Sequence, residues 1–181
     1  MTKKFIAGGC SFTFGHELSD DEQGKIPSKK SWAYGLKTSP SDEYLCTAHP
    51  GSGNSGIARR VFNAVANTKD IKCVVVMWSF LSRYDWAMPR HKELEGTRWA
   101  SISPWDTNTG NEEAFRELAN SQTQQEVWKV RKETFAETGV KDFAESIYKY
   151  AANQYHETYL SWKSIIWLQN ILEKKKIPFM F

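Results

Sequence analysis

A serine follows two glycines near the start of the chain, in the segment GGCSFTFG at positions 8–15. Serine can act as a nucleophile when a base takes its proton, and it then forms a covalent acyl intermediate. The neighbouring glycines let the backbone turn sharply, admit a substrate and aim the following amides at a developing oxyanion. A serine in such a position is most commonly a helix N-cap or a turn residue. Residue type and spacing therefore leave two interpretations of Ser11 open, a nucleophile and a cap.

A second glycine-rich segment, GSGNSG at positions 51–56, formally matches the dinucleotide fingerprint G-x-G-x-x-G. It follows the second predicted strand rather than the first, and no acidic residue ends a strand about 20 positions later. A nucleotide-binding flavodoxin-like domain stays open as an alternative on this segment. The pattern better fits an amide-rich turn at a helix N-terminus, which would bind an anion or an oxyanion.

The elements that must position these turns alternate between strand and helix. Apolar runs predict strands at 4–8, 43–48 and 71–78, and apolar residues at spacing four predict a helix over 54–67. The third run is continuously β-branched, which is typical of a strand covered on both faces of a parallel sheet. Strands separated by helices predict right-handed crossovers and an α/β fold.

Composition narrows the class of protein. The chain has 181 residues, a net charge of +3 and 40% hydrophobic residues, with a mean hydropathy of −0.57. These values predict one domain over residues 1–181 and no membrane or nucleic-acid partner. The three cysteines form no C-x-x-C pair, so we expect no metal site, no cofactor and a reducing, cytoplasmic compartment.

Two later segments carry most of the aromatic residues. Residues 84–135 contain four tryptophans among Pro, Asn, Thr and Gly, with a helix signal near 112–119. We interpret them as an insertion after strand three, which is either a lid or pocket wall or a loop packed by its own aromatics. From about 141 to 174 we predict one long helix with a continuous stripe at 4-3-4-3-4 spacing, formed by Tyr148, Ala152, Tyr155, Tyr159, Trp162 and Ile166. Such a stripe is typical of core, with a dimer face as the alternative.

The two glycine segments together resemble the SGNH (GDSL-type) hydrolase family over about residues 4–83. The stretch GCSFT at positions 9–13 stands where the family has its Gly-Asp-Ser block, so the resemblance implies that Ser11 is the nucleophile, with Cys10 in place of aspartate. The stretch PGSGN at 50–54 is similar to the second block, which implies that the Gly51 amide contributes to the oxyanion hole. The Gly-Cys-Ser-Phe-Thr segment and the Ser-Trp helix after it look like a phage-encoded branch.

Two later blocks depart from that pattern. The third block normally ends in Gly-x-Asn-Asp, but SFLS occupies positions 79–82, so the resemblance leaves Asn54 as a substitute donor and Arg83 as a nearby charge. No Asp-x-x-His segment occurs anywhere, although the family takes its acid and base from one. The histidines are His16, His49, His91 and His156, and we choose His49 as the surrogate base because it ends strand two.

The resemblance implies a three-layer α/β/α sandwich with a flavodoxin-like parallel sheet. The apolar ending, residues 177–181, would be a fourth strand, and the chain would lack the family's last strand and helix. The implied function is a serine ester hydrolase for a small ester or an acylated carbohydrate, impaired or inactive in this truncated form. The alternative is a non-catalytic binding or virion-associated module. An oligomer through the long C-terminal helix is a further expectation.

Overall fold

A computed structural model of the chain describes residues 2–21, 26–37, 39–87, 99–107, 133, 136–137 and 139–181. Its main sheet is parallel and has four strands: β1 (Lys4–Gly8), β2 (Glu43–Cys46), β3 (Ile71–Val76) and β6 (Phe179–Met180). Their spatial order is β2-β1-β3-β6. This is the order in which a flavodoxin-like sheet begins. The predicted strands are therefore confirmed, with β2 and β3 each two residues shorter than expected.

Alternate residues of the central strands point to opposite faces of this sheet. On one face Ile6, Val74 and Val76 pack against the helix α3 (Asn54–Asn67) and against a long C-terminal helix. On the other face Phe5, Ala7 and Val75 pack around Ala33, which belongs to the short helix α2 (Trp32–Gly35). Both faces are thus buried, which explains why the third strand is a continuous apolar run.

The described part of the insertion is a hairpin, not a loop packed only by its own aromatics. Strands β4 (Tyr84–Ala87) and β5 (Trp99–Ile102) pair antiparallel, and a 3₁₀ turn (Pro104–Asp106) follows. Their buried side chains pack against α4 (Val140–Ser146) and the π-helical turn after it, so the hairpin forms a second small core. The predicted helix near 112–119 lies outside the described residues.

The prediction of one continuous helix from 141 to 174 is wrong. The segment consists of α4, a π-helical turn (Ile147–Ala151) and, after a break at Ala152 and Asn153, the helix α5 (Gln154–Lys174). The Asn153 side chain accepts a hydrogen bond from the Tyr155 amide at 2.9 Å and caps the new helix. Asparagine is among the preferred N-cap residues because its oxygen satisfies an amide that has no partner within the helix.

The prediction that the aromatic stripe lies in the core is also wrong. Four stripe residues lie on α5, and the exposed fractions are 88% for Tyr155, 62% for Tyr159, 60% for Trp162 and 48% for Ile166. We refer to these four as the aromatic stripe. The face of α5 that packs on the sheet instead carries the fully buried Leu168 and Leu172. The described part of the chain contains no helix long and apolar enough to cross a membrane.

Two tyrosines attach the hairpin to the helical segment. The Tyr84 hydroxyl donates to Glu157 Oε1 at 3.0 Å, and the Tyr148 hydroxyl donates to the Ser82 carbonyl at 2.5 Å. Their rings meet edge to face, with centroids 5.8 Å apart. Burial raises the pKa of both phenols, and it also raises the pKa of Tyr44 beside β1.

These shifts predict that the protein loses stability in alkali. Tyrosines of the unfolded chain ionise near pH 10, whereas the folded state keeps Tyr44, Tyr84 and Tyr148 neutral. Unfolding then releases protons, so the contribution of these tyrosines to the free energy of unfolding is unchanged below about pH 10 and falls as pH rises above it. Urea unfolding at several pH values from 8 to 11 measures the slope of the free energy of unfolding against pH. Tyr148→Phe should reduce it, and Tyr155→Phe on the exposed stripe serves as the control. A slope unchanged by Tyr148→Phe would contradict the assignment.

Candidate functional site

The carboxyl end of β1 leads directly into the turn that holds Ser11. Cys10 is the N-cap of the four-residue helix α1 (Ser11–Phe14), and Ser11 is its first residue and half-buried. Both glycines before it are required by close approach: a Cβ at Gly8 would lie 2.3 Å from Val61 Cγ2, and one at Gly9 would lie 2.1 Å from Thr13 Oγ1. The glycines therefore let the strand end pack tightly on α3 and turn at once into α1.

The loop after β2 continues alongside the same turn. The Thr47 amide donates to the Ala7 carbonyl at 2.8 Å, and the His49 amide donates to the Gly9 carbonyl at 3.2 Å. Carboxyl ends of neighbouring parallel strands meet at one edge of a sheet, which is where ligands of open α/β sheets bind. The structure thus places the two segments that carry Ser11, His49 and Gly51 side by side.

Gly51 and His49 both lie at the surface of this edge. Gly51 has φ +80°, a left-handed conformation that favours glycine, and open space surrounds the position where a Cβ would stand. The exposed His49 ring places Nδ1 2.8 Å from the Pro50 carbonyl oxygen. A carbonyl only accepts, so Nδ1 carries the proton in this contact and the lone pair of the neutral ring is on Nε2. In that tautomer Nε2 can accept a proton, as a general base must.

Asn54 has a different environment from the one that an oxyanion donor needs. Its buried side chain accepts from the Ser79 amide at 2.7 Å and donates to the Ser79 carbonyl at 3.2 Å and to Ser161 Oγ at 3.0 Å. An amide has two N–H donors, and both are used in these contacts. Asn54 therefore ties the loop after β3 to α5. Arg83, in that same loop, donates to Ser79 Oγ at 3.1 Å.

The amides of the G-x-G-x-x-G segment bind a carboxylate of the chain itself. Asp85, which is 8% exposed, accepts from the Gly53 amide at 3.0 Å and from the Gly56 amide at 3.1 Å through Oδ2, while Oδ1 accepts from Ser101 Oγ at 2.6 Å. A helix N-terminus favours an anion because its first amides have no partner within the helix. A phosphate would have to displace this buried carboxylate, so the contacts do not favour the nucleotide-binding alternative.

Close packing explains the glycines of that segment. A Cβ at Gly56 would lie 2.2 Å from Asp85 Oδ1, and one at Gly53 would lie 2.4 Å from the Arg83 carbonyl oxygen. Beside them Ser52 Oγ donates to the His49 carbonyl at 2.6 Å and accepts from Arg60 Nη2. Burial lowers the pKa of the Arg60 guanidinium, and attraction to Asp85 opposes that shift. The close approach of β4 to α3 brings Asp85 to these amides, although 32 residues of chain separate it from Gly53.

Among the residues that the structure describes, no three His, Cys, Asp or Glu side chains form a group that could hold a metal ion. No protein-family model, curated protein or solved structure matches this chain. The class of protein is therefore defined by the fold and by its sheet edge. The chain is a mixed α/β protein with a parallel sheet, and a serine turn and a glycine turn share one edge of that sheet.

Proposed function

We propose that the chain is a serine ester hydrolase of the SGNH type with a three-layer α/β/α architecture. The observation that carries the proposal is the contact between the His49 amide and the Gly9 carbonyl, 3.2 Å long, which brings the Ser11 turn and the Gly51 turn together. Ser11 Oγ would attack the carbonyl carbon of a small ester or an acylated carbohydrate. The amides of Ser11 and Gly51 would stabilise the resulting oxyanion.

The experiment is covalent labelling of the full chain by a fluorophosphonate probe, which reacts with activated serines, together with hydrolysis of a short-chain p-nitrophenyl ester. Ser11→Ala should abolish labelling and lower hydrolysis about a thousandfold or more, because the covalent intermediate is lost. Ser41→Ala, at an exposed serine, is the matched control. Labelling that persists in Ser11→Ala, or that is absent from the wild-type chain, would contradict the proposal.

The alternative function is a non-catalytic binding module, and the exposure of the insertion's tryptophans favours it. Trp86, Trp99 and Trp105 are 50%, 44% and 47% exposed on the hairpin and its 3₁₀ turn. The Trp99 ring also stacks on Arg59, whose guanidinium carbon lies 4.2 Å from the ring centroid. Such a surface would hold a sugar or a partner protein. Sugar binding that disappears in Trp86→Ala, in a chain without Ser11 labelling, would establish this alternative.

A second copy of this chain is the partner that we propose for the aromatic stripe. Tyr155, Tyr159, Trp162 and Ile166 follow 4-3-4 spacing, the period at which two helices pack along a common seam. Exposed aromatic side chains at that period bury large apolar areas when two such helices pair. The expected result is a dimer in sedimentation velocity that Trp162→Glu converts to a monomer. Lys174→Glu, on an exposed residue of α5 off the seam, is the control and should remain a dimer. A monomeric wild-type chain would contradict the proposal.

The compartment that we propose is the cytoplasm. Cys10, Cys46 and Cys73 are unpaired thiols, as expected for a reducing environment. Burial raises the pKa of the Cys46 and Cys73 thiols, which lowers the fraction of reactive thiolate at neutral pH.

A further inference from the structure

Two adjacent arginines of α3 lie close to the candidate site. Arg60 Nη2 donates to Ser52 Oγ, and Ser52 directly follows Gly51 in the glycine turn. The guanidinium carbon of Arg59 lies 4.2 Å from the centroid of the Trp99 ring on the hairpin. Both arginine side chains are half-buried, so part of each remains accessible to a ligand. In the sequence this pair is only a short basic cluster, and the fold brings it to the glycine turn.

The described residues satisfy few of the hydrogen-bond donors of these two arginines. Neither guanidinium forms an ion pair with a carboxylate in the described part of the chain. The Nε atoms of Arg59 and Arg60 are buried and have no hydrogen-bond partner among the described residues. A guanidinium carries five N–H donors and stays charged in proteins, and buried donors without an acceptor cost free energy. A negatively charged acceptor would therefore bind favourably to this pair.

The charges around the two guanidiniums also favour an anion. Burial lowers the pKa of both side chains, and attraction to Asp85 opposes that shift. The Asp85 carboxylate already accepts from two amides at the start of α3 and from a serine hydroxyl. Repulsion by Arg59 further lowers the pKa of Arg60, as expected for like charges that lie close together. Two cations and one carboxylate leave a net positive charge among these three groups.

From these contacts we infer that Arg59 and Arg60 bind an oxyanion group of the substrate, a carboxylate or a phosphate, beside the Gly51 turn. This inference rests on the proposed function and adds the substrate class, which is an ester that carries a negative charge. The planar fork of a guanidinium matches the oxygens of either group, and a charge-assisted hydrogen bond is stronger than a neutral one. Since the bound group does not react, it should affect KM more than kcat.

Isothermal titration calorimetry of the full chain with inorganic phosphate, at constant ionic strength, tests the anion site without requiring hydrolysis. The wild-type chain should bind phosphate, and Arg60→Gln should bind it about tenfold more weakly or worse, because a charged donor is lost. Arg60→Lys should have an intermediate affinity, because it keeps the charge but not the fork. Lys69→Gln, at an exposed residue after α3, is the matched control and should bind like the wild type. No binding by the wild type, or equal binding by Arg60→Gln, would overturn the inference.

Hydrolysis of two matched acetate esters tests whether the bound anion belongs to the substrate. The ester 4-acetoxybenzoate carries a carboxylate, whereas its methyl ester is neutral. Arg60→Gln should raise the KM for 4-acetoxybenzoate about tenfold or more and leave the kinetics of the methyl ester unchanged. Phosphate that binds at Arg60 while this variant leaves both KM values unchanged would show a site for a free ion and overturn the substrate assignment.

The outcomes separate this inference from the proposed function. If Ser11 is labelled by the fluorophosphonate probe but the wild-type chain does not bind phosphate, the inference fails while the hydrolase proposal stands. If Ser11 is never labelled, the proposed function fails, and the substrate assignment fails with it. Should Arg60→Gln not fold, as judged by circular dichroism, the phosphate affinity of Arg59→Gln decides, and an affinity equal to that of the wild type overturns the inference.

Discussion

Asp85→Ala is expected to lower the free energy of unfolding by about 3–5 kcal/mol, because two buried amides lose a charged acceptor and each unsatisfied buried donor costs about 1–3 kcal/mol. This loss is large beside the total of about 5–15 kcal/mol that holds a domain of ordinary stability. The carboxylate accepts from the Gly53 amide, the Gly56 amide and Ser101 Oγ within 3.1 Å. Without it, the two buried amides lose their acceptor and bear the cost of desolvation.

Two further variants test the geometry of that contact. Asp85→Asn keeps one oxygen that accepts from the amides, so its cost should be smaller than that of alanine. Gly56→Ala introduces a Cβ 2.2 Å from Asp85 Oδ1 and should destabilise the wild-type protein. Its cost should shrink in the Asp85→Ala background, because the clashing carboxylate is then absent and the two changes are coupled.

Urea unfolding followed by circular dichroism measures all of these values. Asp142→Ala is the matched control, since Asp142 is also a carboxylate near a helix N-terminus, in the first turn of α4, but is exposed. An exposed carboxylate near a helix N-terminus contributes about 0.3–1 kcal/mol. A cost for Asp85→Ala no greater than that of Asp142→Ala would show that the buried network does not stabilise the fold.

Leu168→Ala is expected to cost about 2–5 kcal/mol, whereas Trp162→Ala should change the free energy of unfolding by less than about 0.5 kcal/mol. Leu168 is fully buried between α5 and the sheet, in the cluster that contains Ile6 and Val61. Its removal loses apolar burial and leaves a cavity. Trp162 is 60% exposed on another face of the same helix.

The two α5 variants must be compared at a protein concentration low enough to keep the chain monomeric, because a dimer seam would add to the cost at Trp162. Equal costs for the two changes would place the aromatic stripe in the core after all. A small loss in the free energy of unfolding at both positions would instead show that α5 does not pack into the main core.

The helix α5 shows why sequence alone could not decide which face is buried. The aromatic stripe follows 4-3-4 spacing, and so do Ser161, Ile165, Leu168 and Leu172 on another face. Periodicity predicts a helix from either set but does not rank them. Where α5 packs against α3 and the sheet, its fully buried residues are the two leucines Leu168 and Leu172. Packing against particular neighbours therefore determines which face of α5 is buried.

For the candidate site, too, sequence alone predicts some features and leaves others to the tertiary structure. The serine turn and the glycine turn could be predicted as neighbours, because both follow parallel strands that pair in the sheet. The partners of their polar groups could not. Asp85 reaches the Gly53 amide across 32 residues of chain, and Asn54 reaches Ser161 across 107. The local sequence does not indicate which distant residue accepts a hydrogen bond from a given amide.

By itself, the sequence determined the helix α3 to the residue, three of the main strands within two residues, and the positions of Ser11 and Gly51 at strand ends. These features depend on local periodicity and on glycine, which act within a few residues. The tertiary structure decided that Asp85 accepts from the amides at the start of α3 and that Asn54 joins the loop after β3 to α5. Burial supplies the reason, since a polar group removed from water must find a partner, and folding alone determines which residue is within reach.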